Sequence, residues 1–237
     1  MHAGAHGALG NLAKMGFPKK AFCGAITSGE VTHAAFEQRA TPFWAARRRC
    51  LHFTWGARGA ISLEGLGLEV TTDPALADCI VAHGTEALGT AADGSGAQPC
   101  SLEEMRALLL ACAARRPAVP MIVANPDVVT VHGSELRTMP GTLARWYAEA
   151  GGEVHLMGKP AGVIYERALR MLGLPAEQVL AVGDSLEHDI AGAAGAGVDA
   201  VFVEGGIHAE ELAAGALERL CQQYAVRPAF TLPFFRL

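Results

Sequence analysis

An uninterrupted apolar run at 179–182, with polar residues on both sides, is the clearest strand signal in the chain. Such runs are typical of parallel strands that are buried on both faces. The run ends shortly before Asp184, and the small apolar residues that follow Asp189 predict a helix with this carboxylate near its start. We therefore predict a strand, an acidic loop and a helix over 179–197.

Asp184 would lie at the carboxyl end of this strand. In open α/β sheets ligands bind at that edge, because strand ends and helix starts leave a crevice with unpaired backbone donors. Asp184 and Asp189 are therefore candidate site residues. The alternative is that Asp184 only ends a strand and Asp189 only caps a helix.

The same pattern organises the rest of the chain into alternating helices and strands. We predict helices at 7–17, 31–39, 101–114, 142–150 and 163–172, and strands at 22–27, 51–55, 68–72, 79–83, 121–124 and 154–157. Ser101 and Glu104 form a predicted capping box, and Thr27 and Ser28 precede a helix that they can cap. The region 50–157 has its own strands and helices, so we predict a second α/β unit inserted into a core of 1–49 and 158–237.

Lys159 follows the predicted strand 154–157 and precedes the helix 163–172. Neighbouring units of a parallel sheet place their carboxyl-end loops side by side, so Lys159 and Asp184 can face one crevice. An ammonium group and a cation held by a carboxylate can together neutralise the negative charge of a bound phosphate group. The alternative is a surface lysine before a turn proline. The glycines at 192, 195 and 197 stand in the wrong order for a dinucleotide fingerprint.

Composition narrows the class of protein. The 237 residues are 51% hydrophobic and 18% charged, which is typical of a globular protein with a large buried core. A net charge of −5, with no basic run longer than the three arginines 47–49, argues against nucleic-acid binding. The sequence has neither an apolar stretch of membrane-spanning length nor a secretory signal pattern, so we expect a cytoplasmic protein without membrane partners.

The six cysteines and nine histidines show no metal-ligand spacing. No Cys-x-x-Cys, His-x-His or His-Glu-x-x-His arrangement occurs, so a zinc site is not predicted. We expect the cysteines to be reduced and mostly buried.

Several short motifs, in order and at these spacings, carry a resemblance to a known family. They are Thr27-Ser28-Gly29-Glu30, Asn125-Pro126-Asp127, Pro140-Gly141, Gly158-Lys159-Pro160, and Gly183-Asp184 with Asp189-Ile190. On these motifs the chain resembles the haloacid dehalogenase-like (HAD) hydrolases, specifically the class IIA subgroup of sugar and nucleotide phosphatases. The resemblance extends over nearly the whole chain.

The resemblance implies a Rossmann-like core with an inserted α/β cap, and a Mg²⁺-dependent phosphatase that acts on a small phosphorylated metabolite through an aspartyl-phosphate. It assigns Asp184 to Mg²⁺ and Asp189 to the orientation of the metal loop. Lys159 would hold the phosphoryl group and the nucleophile, and Asn125 and Asp127 would bind substrate. Association of copies through the cap is a further implication.

The sequence departs from the family at the nucleophile. Such enzymes carry Asp-x-Asp-Gly near the amino terminus, whereas the first aspartate here is Asp73 and no Asp-x-Asp occurs. We expect a core that is incomplete at its amino terminus, weak Mg²⁺ binding and little phosphatase activity, because phosphoryl transfer through a covalent intermediate needs an attacking carboxylate. The alternatives are a truncated or degenerate non-catalytic binding protein, and an unrelated α/β binding protein.

Overall fold

The fold is described from a computed structural model, which covers residues 4–56, 59–132 and 135–235. The helices are α1 Gly4–Lys14, α2 Ser28–Gln38, α3 Pro42–Ala45, α4 Leu102–Ala113, α5 Pro140–Glu149, α6 Gly162–Leu172, α7 Ala191–Gly195, α8 Ala209–Ala213 and α9 Leu217–Gln223. The strands are β1 Arg49–Thr54, β2 Glu69–Val70, β3 Cys79–Ala82, β4 Ala87–Leu88, β5 Gln98–Pro99, β6 Met121–Val123, β7 Val129–His132, β8 Glu135–Thr138, β9 Val154–Leu156, β10 Leu180–Gly183, β11 Asp199–Val203 and β12 Phe230–Leu232. The predicted α/β class is confirmed.

The chain divides into two compact units by its internal contacts. One is Thr27–Gly158, and the other joins the segment that ends at Ile26 to Lys159–Leu237. The division thus falls before α2, whereas the sequence places a boundary at residue 50. Helix α2 contacts the rest of the first unit closely, since the Arg39 guanidinium donates to the carbonyls of Leu66 at 2.6 Å and Gly67 at 3.0 Å.

The Thr27–Gly158 unit is built on a mixed sheet. Across its described residues the strand order is β5-β4-β1-β3-β6-β9, and β2 also pairs with β1. Strands β1, β3, β6 and β9 are parallel, while β4 and β5 are antiparallel to their neighbours. Parallel strands need crossover connections, and helices α4 and α5 supply two of them.

The core of this unit lies between its sheet and helices α4 and α5. Its largest fully buried members include Leu51, Phe53, Ile80, Met105, Leu109, Met121, Leu143 and Tyr147. The apolar runs at 79–82 and 121–123 are buried throughout, as expected of parallel strands that are covered on both faces.

Two of the predicted helix caps in this unit are confirmed. The Ser101 hydroxyl accepts from the amide of Glu104, whose carboxylate in turn accepts from the amide of Ser101. Thr27 and Glu30 form the same reciprocal capping box at α2. The Thr27 side chain therefore serves to begin a helix.

The second unit, described by itself, contains a parallel sheet in the order β10-β11-β12. One face of this sheet packs on helices through buried residues that include Leu186, Ile190, Ala193, Val198, Phe202 and Leu220. The opposite face carries exposed apolar side chains, with Leu180 at 51%, Val182 at 45% and Phe230 at 59% of their full exposure.

Two predictions for this unit are wrong. Strand β10 forms, but it is an edge strand in the described part of the sheet, so Leu180 and Val182 are not buried. The segment 22–27 is not a strand, because no strand among the described residues pairs with it. Its backbone instead passes close to α6, where a Cβ on Gly24 would lie 2.6 Å from the Met171 sulfur.

Replacing Leu180 by lysine is expected to reduce self-association. A charge on an exposed strand edge discourages pairing with another chain. Light scattering at increasing protein concentration should fall, while the free energy of unfolding should change by less than about 0.5 kcal/mol. Leu110→Lys is the control, since Leu110 is 52% exposed on helix α4. Equal scattering from the parent and Leu180→Lys would show that this edge does not drive association.

Among the residues that the structure describes, no helix is long and apolar enough to cross a membrane. Four of the six cysteines are buried, as predicted: Cys50, Cys79, Cys112 and Cys221.

Candidate active site

Asp189 lies in a π-helical turn, Leu186–Ile190, that follows β10. The amides of Asp189 and Ile190 both donate to the carbonyl of Ser185, at 2.9 and 3.1 Å. Asp189 therefore lies near the start of a helix, as predicted, but the chain first makes this wider turn and α7 begins at Ala191. Turns of this kind are frequent at functional sites.

The Asp189 carboxylate has a partner on each oxygen. The Lys159 ammonium donates to Oδ1 at 2.5 Å, and the Ser185 amide donates to Oδ2 at 3.0 Å. Asp189 is 8% exposed, and a Cβ on Gly183 would lie 2.2 Å from its Cγ. Glycine at 183 therefore leaves the space in which this carboxylate sits.

Asp184 is the first residue after β10, as predicted. Its Oδ2 accepts from the amide of Ile207 at 3.1 Å, and a Cβ on Gly206 would lie 2.2 Å from that same oxygen. The loop after β11 therefore approaches Asp184 so closely that only glycine fits at 206.

Lys159 contacts Asp189 rather than Asp184. Because Ser185 follows Asp184 directly, the Lys159–Asp189–Ser185 contacts still bring the ammonium to the loop that carries both carboxylates. Beside them is a cleft of about 280 Å³, whose lining includes Lys159, Tyr165 and Asp189. With its side chain 53% exposed, Lys159 is accessible to a ligand. The catalytic roles assigned to Lys159 and Asp189 stay predictions.

Asn125 and Asp127 lie after β6 in the Thr27–Gly158 unit. The Asn125 side-chain oxygen accepts from the Asp127 amide at 3.4 Å, and Asp127 is exposed. A Cβ on Gly141 would lie 2.1 Å from the Pro126 carbonyl, so the motif 125–127 packs against the start of α5. Substrate binding by Asn125 and Asp127 stays a prediction.

Sequence inspection missed a buried histidine pair in this same unit. His52 Nε2 and His83 Nδ1 are 3.1 Å apart, and the rings are 1% and 6% exposed. Burial is the main cause that lowers the pKa of His52 to about 4 and the pKa of His83 well below its ordinary value; nearby His33 lowers both further. The two residues are 31 positions apart, so no local motif announces them.

A magnesium ion fits the chemistry of Asp184, though with few protein ligands. Both oxygens of Asp189 are engaged, whereas Asp184 accepts from the Ile207 amide through Oδ2, so Asp184 is a better candidate than Asp189 to bind a cation. Over the described ranges, no three His, Cys, Asp or Glu side chains converge on a metal position. Because Mg²⁺ commonly keeps several waters and binds through one or two carboxylates plus substrate phosphates, Asp184 could hold it in that manner.

Comparison with known proteins gives matches along the whole chain. The HAD-hydrolase-like family model matches residues 156–232. Dihydroxyacetone phosphatase of Corynebacterium glutamicum (strain R) is 32% identical over 87 residues, which are 36% of this chain and 32% of that protein. The match thus spans about a third of that curated relative.

Solved structures cover more of the chain. A haloacid dehalogenase-like hydrolase from Brucella suis 1330 superposes with a TM-score of 0.68 and 27% identity, over 98% of this chain and 79% of that one. The p-nitrophenyl phosphatase from Archaeoglobus fulgidus has the same fold, with a TM-score of 0.62 and 24% identity over 96% and 77% of the two chains. Together these matches confirm the resemblance predicted from the sequence: residues 156–232 match the HAD-hydrolase-like family, and the chain has the fold of haloacid dehalogenase-like hydrolases and phosphatases.

Proposed function

We propose that this chain carries the magnesium and phosphate half of a HAD-type phosphatase site, in which Asp184 holds Mg²⁺, Lys159 binds the phosphoryl group and Asp189 positions both. The observation that carries this proposal is the Asp189 carboxylate, fixed between the Lys159 ammonium and the Ser185 amide at the carboxyl end of β10. The ligand class is a small phosphomonoester.

The charges in this loop support that assignment. The Lys159 ammonium reaches the loop through Asp189 and remains open to solvent, so it can neutralise part of a phosphate charge. When bound, Mg²⁺ would act as a Lewis acid on a phosphoryl oxygen. Asn125 and Asp127 are assigned to the rest of the substrate by the family resemblance.

We further propose that the printed chain by itself hydrolyses phosphate esters slowly. Transfer through a covalent intermediate needs a carboxylate able to attack the phosphorus in line. Asp189 and Asp184 do not suit that role: Asp189 has both oxygens engaged, and Asp184 is the proposed metal ligand. The sequence supplies no aspartate before Asp73.

The alternative is a non-catalytic binding or interaction protein with the same fold. The exposed apolar residues Leu180, Val182 and Phe230 favour it, because such faces on folded proteins commonly mark interaction sites. We also propose, from the sequence alone, a cytoplasmic location and association of copies through residues 50–157.

Mutation of Asp184 tests the metal assignment. Mg²⁺ together with inorganic phosphate is expected to raise the thermal unfolding midpoint of the parent chain, since a ligand that binds only the folded state stabilises it. Asp184→Asn should weaken the Mg²⁺ affinity at least about tenfold, because a neutral amide replaces the carboxylate ligand. Asp199→Asn, an exposed position on β11, is the matched control and should bind as the parent does.

Hydrolysis of an aryl phosphate is measured on the same three proteins. Mg²⁺-dependent phosphate binding that requires Asp184, together with hydrolysis close to the background rate, agrees with both the proposed metal site and the proposed slow hydrolysis. Rapid Mg²⁺-dependent turnover that Asp184→Asn abolishes would overturn the proposed slow hydrolysis. Absence of Mg²⁺-dependent phosphate binding in the folded parent would overturn the site itself and favour the interaction protein.

A further inference from the structure

The π-helical turn Leu186–Ile190 is held by a side chain from a different helix. The Tyr165 hydroxyl, on α6, lies 3.0 Å from the carbonyl oxygen of His188 and 3.1 Å from that of Asp189. A hydroxyl has one proton, so the two carbonyls share a single donor. This contact ties α6 to the main chain of the residue whose carboxylate binds Lys159.

The Tyr165 hydroxyl stays a donor over the ordinary pH range. Burial, with a smaller contribution from the Asp189 charge, raises the pKa of Tyr165 to about 12. A phenolate could not donate to the two carbonyls, so the raised pKa preserves the contact in neutral and moderately alkaline solution.

Gly192 makes room for this tyrosine. A Cβ at 192 would lie 2.6 Å from the Tyr165 hydroxyl oxygen and 2.7 Å from the ring carbon Cε2. The φ angle of Gly192 is not in the left-handed region, so glycine is needed there for space and not for backbone conformation. The tyrosine and the glycine are therefore complementary parts of one contact.

Both the side chain and the main chain of Asp189 are therefore held by hydrogen bonds. Lys159 and Ser185 hold the carboxylate, and Tyr165 holds the main chain of the same residue. Tyr165 also lines the cleft beside Lys159. Without the hydroxyl, the turn would lose the donor that sets its distance from α6, and the Asp189 carboxylate would hold Lys159 less firmly.

We propose that Tyr165 is a positioning residue, which through its hydroxyl sets the place of Asp189 and hence of the Lys159 ammonium. This inference rests on the proposed function, in which Lys159 receives the phosphoryl group, and adds to it the element that determines where that ammonium stands. Gly192 belongs to the same contact, because a residue with a Cβ at position 192 would collide with the Tyr165 ring.

Tyr165→Phe tests the proposal, because it removes one oxygen atom and keeps the ring. Two quantities are measured well below the unfolding temperature: the rate at which an amine-specific reagent labels Lys159 relative to Lys14, and hydrogen–deuterium exchange of residues 185–191. Both should rise about fivefold, the effect of losing one net hydrogen bond.

Tyr147→Phe is the matched control. The Tyr147 hydroxyl also donates to a main-chain carbonyl, that of Val119, but in the Thr27–Gly158 unit. It should lower overall stability without changing Lys159 labelling or exchange at 185–191. If Tyr147→Phe raises both quantities as much as Tyr165→Phe does, the role of Tyr165 is only structural and the proposal is wrong.

Gly192→Ala provides a second, independent variant. The added methyl group should displace the ring, raise both quantities and add little when combined with Tyr165→Phe, since the two changes break the same contact. Parent-like labelling and exchange in Tyr165→Phe would overturn the proposal. Neither measurement requires turnover or phosphate binding, so a failure of the proposed function would show separately, as the loss of Mg²⁺-dependent phosphate binding in the parent chain.

Discussion

Replacing Gly183 by alanine is expected to lower the free energy of unfolding of the unit that contains β10–β12 by about 3 kcal/mol, the upper part of the range for overpacking a closed site. The new Cβ would lie 2.2 Å from Asp189 Cγ and 2.4 Å from its Oδ2, and the crowded atoms belong to a carboxylate held by two partners. The side chain can retreat only by giving up Lys159 or Ser185. The substitution should therefore lower the free energy of unfolding and also disturb the Lys159–Asp189–Ser185 contacts.

Hydrogen–deuterium exchange of peptides from β10 and β11, followed across a urea series, measures this loss. Gly195→Ala is the matched control, because nothing lies within 4 Å of a Cβ at 195 and the residue has a helical backbone. Alanine there should be neutral or stabilise by up to about 1 kcal/mol. A Gly183→Ala variant as stable as the parent, with Lys159 labelled at the parental rate, would contradict the proposed packing of Asp189.

Acidification is expected to destabilise the Thr27–Gly158 unit through its buried histidine pair. In the unfolded chain each imidazole has a pKa of about 6.5, while in the folded unit burial lowers the pKa of His52 to about 4 and the pKa of His83 well below its ordinary value. Below pH 6.5 the unfolded chain therefore binds protons that the folded unit cannot accept. The contribution of the two neutral rings to the free energy of unfolding is fully present above pH 6.5 and falls as the pH approaches 4. His52 alone accounts for a loss of about 2 kcal/mol at pH 5.

Tryptophan fluorescence is a selective probe for this experiment, because Trp44, Trp55 and Trp146 all lie in the Thr27–Gly158 unit. Urea unfolding at pH 7, 6 and 5 gives the free energy at each pH. His52→Gln and His83→Gln should each reduce the slope with pH, since each removes a titrating ring.

His155→Gln is the control for this pH dependence. His155 lies in the same unit, but it is partly exposed and its Nε2 lies 2.8 Å from a Glu153 oxygen. A free energy that does not change between pH 7 and 5 would show that the two buried rings are not held neutral, and would contradict the packing described for them.

Sequence reasoning predicted those features that depend on neighbouring residues in the chain. Strand β10, the capping box at Ser101 and a cap at Thr27 follow from local pattern, and all form. Whether β10 is buried depends on which strands lie beside it, and an apolar run does not carry that information. The segment 22–27 has a strand-like pattern but no neighbouring strand to form a ladder with it, so its pattern alone is not sufficient.

The candidate site was predicted at the level of residues but not of contacts. Asp184 and Lys159 each follow a strand, which pattern can show. The two strands do not lie side by side in one sheet as predicted, since β9 and β10 belong to different sheets. The sequence analysis paired Lys159 with Asp184, so it missed the Lys159–Asp189 contact. Its carboxylate direction is set by the π-helical turn and by the absence of a side chain at Gly183, which are properties of the folded chain.

Because helices cover only one face of the β10–β12 sheet, the other face can be recognised by the quality-control machinery of a cell. Chaperones and proteases recognise exposed apolar side chains on or near strands, and Leu180, Val182 and Phe230 present such groups in the folded state. The cellular amount of this protein would then depend on the exposure of that face, and not on its folding stability alone.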